Sequence, residues 1–297
     1  MMSLLLGIQR VTTDLYLPAL PALAQGFGAD LPQAQLTLSG LGVLACLSAP
    51  LGGLLSQWLG WRAALLALFG AGALALIALR FVETVPHKNP LALRPATLLG
   101  TWKHIITHPT FLTFSALTAA AYGGLFTFLV SSSFVFIKLL GISKTQYGLV
   151  MFSMSSCYIL GTFLCRHLLP RCGVRKTVGL AAVLSLTGGT TLGVLPLLGV
   201  TSVWSVMLPF LVFMVGHGVH QPCGPSGAVN PFPKSAGAAS ALNGFLMMVV
   251  AFAMGGWLAT QGAASVQPLT SGVRFWSVCI AATAWTAVQR HGEAKPV

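Results

Sequence analysis

The chain has 297 residues, of which 55% are hydrophobic and only 7% are charged. A soluble domain carries about 25% charged residues, so this composition excludes a water-soluble globule and indicates a membrane protein. The net charge of +12 does not indicate nucleic-acid binding, because the basic residues stand at the ends of apolar segments and form no basic stripe.

Nine apolar segments follow one another along the chain, each close to the length of a membrane-spanning helix. About 20 residues, rising 1.5 Å each, cross the ~30 Å hydrocarbon core. Because lipid offers the backbone no hydrogen bonds, continuous apolar runs of this length predict helices. The predicted segments are 3–25, 35–58, 61–82, 110–136, 145–169, 174–199, 203–226, 236–261 and 270–289.

The distribution of Lys and Arg predicts which connections face the cytoplasm. Basic residues occur in 80–108, in the turn 166–176 and in the tail 290–295, whereas the connections 199–203 and 262–273 contain none. By the positive-inside rule, the first three regions and Lys234 are expected to be cytoplasmic and the last two connections external. The alternation of crossings then also makes the turn with Lys138 and Lys144 external, against the rule. We therefore expect the C-terminus to be cytoplasmic.

Four stretches of the chain carry more specific motifs. They are TDLYLPALP at 13–21, SAPLGG with LGWR at 48–62, the region 126–148, and PFPKSAGAASAL at 231–242. In this order they resemble helix one, helix five, helix seven and the start of helix eleven in the Bcr/CflA drug-resistance branch of the major facilitator superfamily. The resemblance covers nearly the whole chain and implies two helical halves that rock about a midplane site.

The same resemblance implies that part of the first half is missing. Residues 35–39 resemble the start of helix two, and the sequence then continues directly into the helix-five motif. We therefore expect an all-α integral membrane protein, an incomplete major facilitator superfamily fold with about nine transmembrane helices. Its expected divisions are a truncated N-terminal half at 1–83, a cytoplasmic linker at 84–109 and a C-terminal six-helix half at 110–297.

Two short motifs are expected, by this resemblance, to act in the conformational change. The helix-five motif is thought to bend and seal that helix in exporters, and a basic turn in the second half is the relative of a first-half loop. The residues concerned are Pro50, Gly52, Gly53, Arg171, Gly173 and Arg175.

Asp14 is the leading candidate for proton coupling. It is one of four acidic residues and lies within an apolar segment, where a bare carboxylate is costly and should protonate, pair or face water. The resemblance assigns the matching acid a role in proton and substrate coupling. Arg10 stands four residues earlier on the same helical face, so a fixed ion pair is the alternative interpretation.

Aromatic and polar residues on several segments are candidates for lining a substrate cavity. They are Tyr16, Tyr122, Phe126, Phe128, His217 and Asn243. Aromatic walls with a few polar groups suit amphipathic organic compounds. Packing between helices or against lipid is the alternative for each of them.

His217, His220 and Cys223 share a helical face by their spacing, which zinc ligands also use. No carboxylate stands nearby, so no metal site is predicted. The glycines and prolines between Gly216 and Pro225 predict an interrupted helix, of the kind that exposes backbone at transport sites. Ordinary packing is the alternative.

These features predict a multi-pass transporter of the inner (plasma) membrane that exports drugs or small organic compounds in exchange for protons. The proton gradient is the driving force, no cofactor is expected, and the partners are the lipid bilayer and a small organic substrate. The alternative is a non-transporting remnant, or a chain that needs a partner to complete the fold. The sequence contains no phosphate-binding loop, HExxH or GxSxG motif, so no enzyme is predicted. The oligomeric state is left open.

Overall fold

A computed structural model describes residues 95–261 and 265–292 of the chain. Several predictions fall outside these residues and stay predictions. They concern the segments 3–25, 35–58 and 61–82, the division 1–83, and the residues Arg10, Asp14, Tyr16, Pro50, Gly52 and Gly53.

The secondary structure of the described residues is helical, with no β-strand among them. The α-helices are α1 (Pro95–Ile106), α2 (Pro109–Ser133), α3 (Lys144–Val194), α4 (Val203–Val229), α5 (Ala236–Thr260), α6 (Gln267–Trp285) and α7 (Ala287–His291). A π-helical turn at Phe134–Leu139 extends α2, and 3-10 turns at Leu195–Leu198 and Pro233–Ser235 precede α4 and α5. The all-α prediction is confirmed for this part of the chain, and α1 falls within the predicted linker.

Local sequence explains where several helices begin. Pro109 opens α2, where its missing N–H is not required. At the start of α3, the Ser143 hydroxyl accepts the Gln146 backbone N–H at 3.2 Å, and the Gln146 side chain accepts the Ser143 N–H at 2.9 Å. Ser202 and Ser205 form the same reciprocal capping box before α4. These caps satisfy backbone groups that the first helical turn leaves without partners.

The helix α3 contains a chain reversal at Gly173. As one straight helix its 51 residues would extend for ~77 Å, more than twice the hydrocarbon thickness. Gly173 has φ 71° and ψ 172°, a conformation that glycine adopts without a steric penalty. The reversal divides α3 into a first leg, 144–172, and a second leg, 174–194. Two consecutive helices were predicted here, at 145–169 and 174–199, and two helices are present.

The two legs of α3 pack against α4 in opposite directions. The contacts from the first leg, in chain order, are Tyr158–His217, Gly161–Gly218 and Cys165–Cys223. The contacts from the second leg are Ser185–Gly216 and Gly188–Phe213. Residue numbers rise together along the first leg and α4, but in opposite directions along the second leg and α4. The helix α4 is therefore parallel to one leg and antiparallel to the other.

The helix α2 packs mainly against α4, α5 and α6. Phe128 of α2 stacks on Phe210 of α4, with 3.6 Å between ring centroids. On its other side, α2 approaches α6 so closely that a Cβ at Gly123 would lie 2.5 Å from Cε2 of Trp276. The small residue at this position thus sets the distance between the two helices.

Four stretches of the described chain are long and apolar enough to cross a bilayer. They are Pro109–Leu139, Lys144–Leu198, Val203–Val229 and Ala236–Thr260. The second stretch contains both legs of α3, so the four stretches contain five helical segments. The remaining predicted span, 270–289, overlaps α6, whose 19 residues extend for ~28 Å and include Arg274. A lipid bilayer is the environment that such apolar helices require.

The helix α4 is continuous where the sequence predicts an interruption. It runs from Val203 to Val229 and contains Pro209, Pro222 and Pro225. Each proline removes one backbone N–H, a loss that membrane helices tolerate when neighbouring helices surround the site. The prediction of a broken helix is wrong, because α2 and both legs of α3 hold α4 along its length.

Candidate substrate-binding site

The contact between α2 and α5 is lined by buried aromatic and methionine side chains. On α2, Tyr122 and Phe126 are 4% and 6% exposed, with 6.1 Å between their ring centroids. On α5, Met247, Ala251 and Met254 belong to the same group, which we call the α2–α5 cluster. Spacings of three or four residues place these side chains on one face of each helix. Because Met is unbranched and adaptable, the cluster suits apolar ligands of varied shape.

Two buried polar groups adjoin the α2–α5 cluster. Asn243 is 2% exposed and lies one turn before Met247, whose sulfur is 3.9 Å from Nδ2 of Asn243. Its Oδ1 has no hydrogen-bond partner among the described residues, and the same holds for Nε1 of Trp276, which packs against the cluster. A buried polar atom without a hydrogen bond lowers the stability of a fold by about 1–3 kcal/mol. Asn243 thus leaves one acceptor, and Trp276 one donor, without a partner among the described residues.

Two of the predicted cavity residues lie away from this cluster. Phe128 is only two residues from Phe126 but belongs to the main core, where it stacks on Phe210. His217 lies between α4 and the first leg of α3, with its ring 5.9 Å from that of Tyr158. The structure therefore brings together Tyr122, Phe126 and the helix face of Asn243, but neither Phe128 nor His217 joins them.

Two hydrogen bonds connect the basic turn around Gly173 to neighbouring residues. The Arg171 guanidinium donates to Nε2 of His167 at 2.7 Å. Because a guanidinium has no acceptor, this imidazole nitrogen must carry the lone pair. The backbone carbonyl of Arg175 accepts the side-chain amide of Gln289 at 3.1 Å, which joins the turn to α7. The predicted motif residues Arg171, Gly173 and Arg175 are thus grouped at the reversal between the two legs of α3.

The side chains that share zinc-ligand spacing do not converge. His217 faces the ring of Tyr158, whereas the sulfur of Cys223 lies 3.5 Å from that of Cys165. Within 95–261 and 265–292, no group of three or more His, Cys, Asp or Glu side chains is placed to hold a metal ion.

Sequence reasoning missed several residues of the α2–α5 cluster. These are Met247, Ala251, Met254 and the neighbouring Trp276. The spacing of Met247 and Met254, two helical turns apart and one turn beyond Asn243, was a usable signal. The contact of Trp276 with the cluster could not be predicted from the sequence, because it depends on the position of α6 beside α2.

Residues 38–256 match the sequence profile of the Major Facilitator Superfamily. The chain belongs to this superfamily. Since the match covers well over half of the chain, the fold is an all-α membrane fold of this superfamily, as the motifs implied.

Two curated proteins are significantly similar to the chain. One is Multidrug resistance protein D of Escherichia coli strain K12, 26% identical over 215 residues, which are 72% of this chain and 54% of that protein. The other is the Bicyclomycin resistance protein homolog of Haemophilus influenzae, 24% identical over 243 residues, 81% of this chain and 61% of that protein. The chain thus spans little more than half the length of these relatives. Their names agree with the drug-resistance branch to which the motifs pointed.

Proposed function

We propose that the protein is a transporter of the inner (plasma) membrane that exports small organic compounds in exchange for protons. The observation that carries this proposal is the α2–α5 cluster with its two buried polar atoms. An apolar, adaptable wall with few polar groups is the usual chemistry of sites for amphipathic compounds. The names of the two relatives, which refer to multidrug and bicyclomycin resistance, point to the same class of substrate.

Within this proposal, a compound binds against Tyr122, Phe126 and Met247. The Oδ1 of Asn243 accepts a hydrogen bond from it, and Nε1 of Trp276 donates one. These bonds restore partners to atoms that are buried without them, so binding recovers the cost of their desolvation.

Proton coupling is assigned to Asp14, with Arg10 as its modulating neighbour. The sequence between 95 and 292 contains no acidic residue, so none of the apolar segments in the second half carries a carboxylate for this purpose. Export then requires Asp14 to release its proton to the inside as the compound binds, and to regain one from the outside. The basic residues of 166–176 and 290–295 favour a cytoplasmic C-terminus.

The test is proton-coupled flux in reconstituted vesicles. Vesicles carrying an internal pH dye are exposed to a panel of lipophilic cations and bicyclomycin, with a proton gradient imposed across the membrane. We expect Asn243→Ala to lower the apparent affinity for transported compounds and Asp14→Asn to abolish proton movement. Phe252→Ala is the matched control on α5, because this side chain is 84% exposed and lies outside the cluster.

Two results would contradict the proposal in different ways. If no compound of the panel moves, the chain is a non-transporting remnant or needs a partner to complete the fold. If flux survives Asn243→Ala unchanged while Phe252→Ala lowers it, transport occurs but the α2–α5 cluster is not its site.

A further inference from the structure

Two buried thiols face each other between the first leg of α3 and α4. The Sγ atoms of Cys165 and Cys223 lie 3.5 Å apart, although the residues are 58 positions apart in sequence. Each side chain is 4% exposed, and both are free thiols. The contact lies outside the α2–α5 cluster, so the proposed transport function does not use it.

The backbone explains why these two thiols meet. One turn earlier, Gly161 and Gly218 bring the two helices together, so that a Cβ on Gly161 would lie 2.9 Å from Cα of Gly218. Because the first leg and α4 run parallel, the contact continues in the same direction along both helices and next brings Cys165 to Cys223. The Gly–Gly crossing thus holds the sulfurs at close range.

We propose that Cys165 and Cys223 form a dithiol site that an apolar oxidant of the quinone class converts to a disulfide. The two S–H bonds break, one S–S bond forms, and the two protons and two electrons reduce the quinone to a hydroquinone. The sulfurs approach from 3.5 Å to the ~2.05 Å of a disulfide bond.

The choice of oxidant follows from the position of the pair. Both thiols are buried between apolar helices that require a bilayer, so an oxidant dissolved in lipid reaches them more readily than a charged, water-soluble one. The new bond joins the first leg of α3 to α4 within one helical bundle. It closes a long loop of chain, which restricts the unfolded state and raises the thermal stability of the bundle.

The test uses the full chain in lipid vesicles, treated with duroquinone, whose substituted ring does not alkylate thiols. Remaining thiols are blocked after denaturation, and the digested protein is analysed by mass spectrometry. We expect the number of free thiols to fall by two and a peptide pair containing Cys165 and Cys223 to appear, reversibly on reduction. Ferricyanide, which is charged, should produce this pair several-fold more slowly.

Cysteine-to-serine variants identify which two residues form the disulfide. Cys165→Ser and Cys223→Ser should each abolish the linked peptide, whereas Cys279→Ser should leave it unchanged. An unchanged number of free thiols after duroquinone, or a linked peptide that joins other cysteines, would overturn the proposal.

A second measurement is independent of these variants. The thermal unfolding midpoint of the oxidised wild type should exceed that of the reduced protein. An oxidised midpoint equal to or below the reduced one would refute the stabilising role. Since neither readout requires a transported compound, both remain informative if the proposed transport function fails.

Discussion

The imidazole of His108 meets the ring of Phe232 edge-on, with 5.2 Å between the ring centroids and an angle of 78° between the planes. His104 of α1 and Phe111 of α2 contact the same ring, at 5.9 Å and 6.3 Å. Phe232 lies just before α5, so this small aromatic group connects the predicted linker to the start of two membrane helices.

This arrangement predicts that His108 titrates below its ordinary value of 6.5. Burial disfavours the charged imidazolium and lowers the pKa of His108, and the nearby His104 lowers it further. Between the lowered pKa and 6.5 the unfolded chain binds more protons, so stability should fall as the pH falls through this window. Histidine-selective NMR titration would measure the midpoint, with His108→Gln used to assign the signal. A midpoint above 6.5 would contradict the prediction.

Gly161 predicts a large steric effect at the crossing with α4. A Cβ at this position would collide with the carbonyl oxygen of Val215 and lie 2.9 Å from Cα of Gly218. We expect Gly161→Ala to destabilise the bundle by about 1–3 kcal/mol, because neither backbone can yield without moving its helix. Thermal unfolding in detergent would measure the loss. Gly148→Ala is the control on the same helix, since a Cβ there meets nothing within 4 Å and its stability should be unchanged or higher.

At Gly173, the backbone conformation alone should determine how much a substitution lowers the stability. A Cβ here has open space, but its φ of 71° with ψ of 172° disfavours every residue except glycine. Gly173→Ala should therefore lower the free energy of unfolding by about 1–3 kcal/mol. Gly237→Ala makes the same chemical change in open space on α5, where the backbone is helical, and should cost nothing. Equal midpoints for the two variants would show that the reversal at Gly173 tolerates a side chain.

Replacing Asn243 with an apolar residue should have opposite effects on stability and on ligand binding. Replacing it with Leu removes a buried acceptor that has no partner in the described structure, so the empty protein should become more stable by about 1–2 kcal/mol. The same change removes the proposed hydrogen bond to the transported compound and should weaken its binding. Unfolding midpoints measured with and without compound separate the two effects. A variant that loses stability and retains affinity would refute the assignment of Asn243 to the site.

Much of the second half could be predicted from the sequence. Apolar length located its helices, because only a hydrophobic run can cross the bilayer, and the capping residue Ser143 marks the beginning of α3. The turn motif at Arg171 and Gly173 also lies where the resemblance placed it, at the reversal of α3.

The composition of the candidate site could be predicted only in part. Phe126 and Phe128 are equivalent in the sequence, yet a difference of two positions turns them to different sides of α2, one into the α2–α5 cluster and one onto Phe210. Nor do the prolines of α4 show locally that the helix continues through them. In each case the outcome depends on which helices pack nearby, and this is tertiary information.

The position of α4 between the two legs of α3 has a consequence for biogenesis. The hairpin turned at Gly173 precedes α4 along the chain, so both of its legs leave the ribosome before α4 is complete. The two legs form a groove before α4 arrives, with Gly161 on one side and Ser185 on the other, and α4 can move into it from the lipid. The order of synthesis therefore matches the order of burial, and the most closely packed part of this bundle can assemble without waiting for α5 or α6.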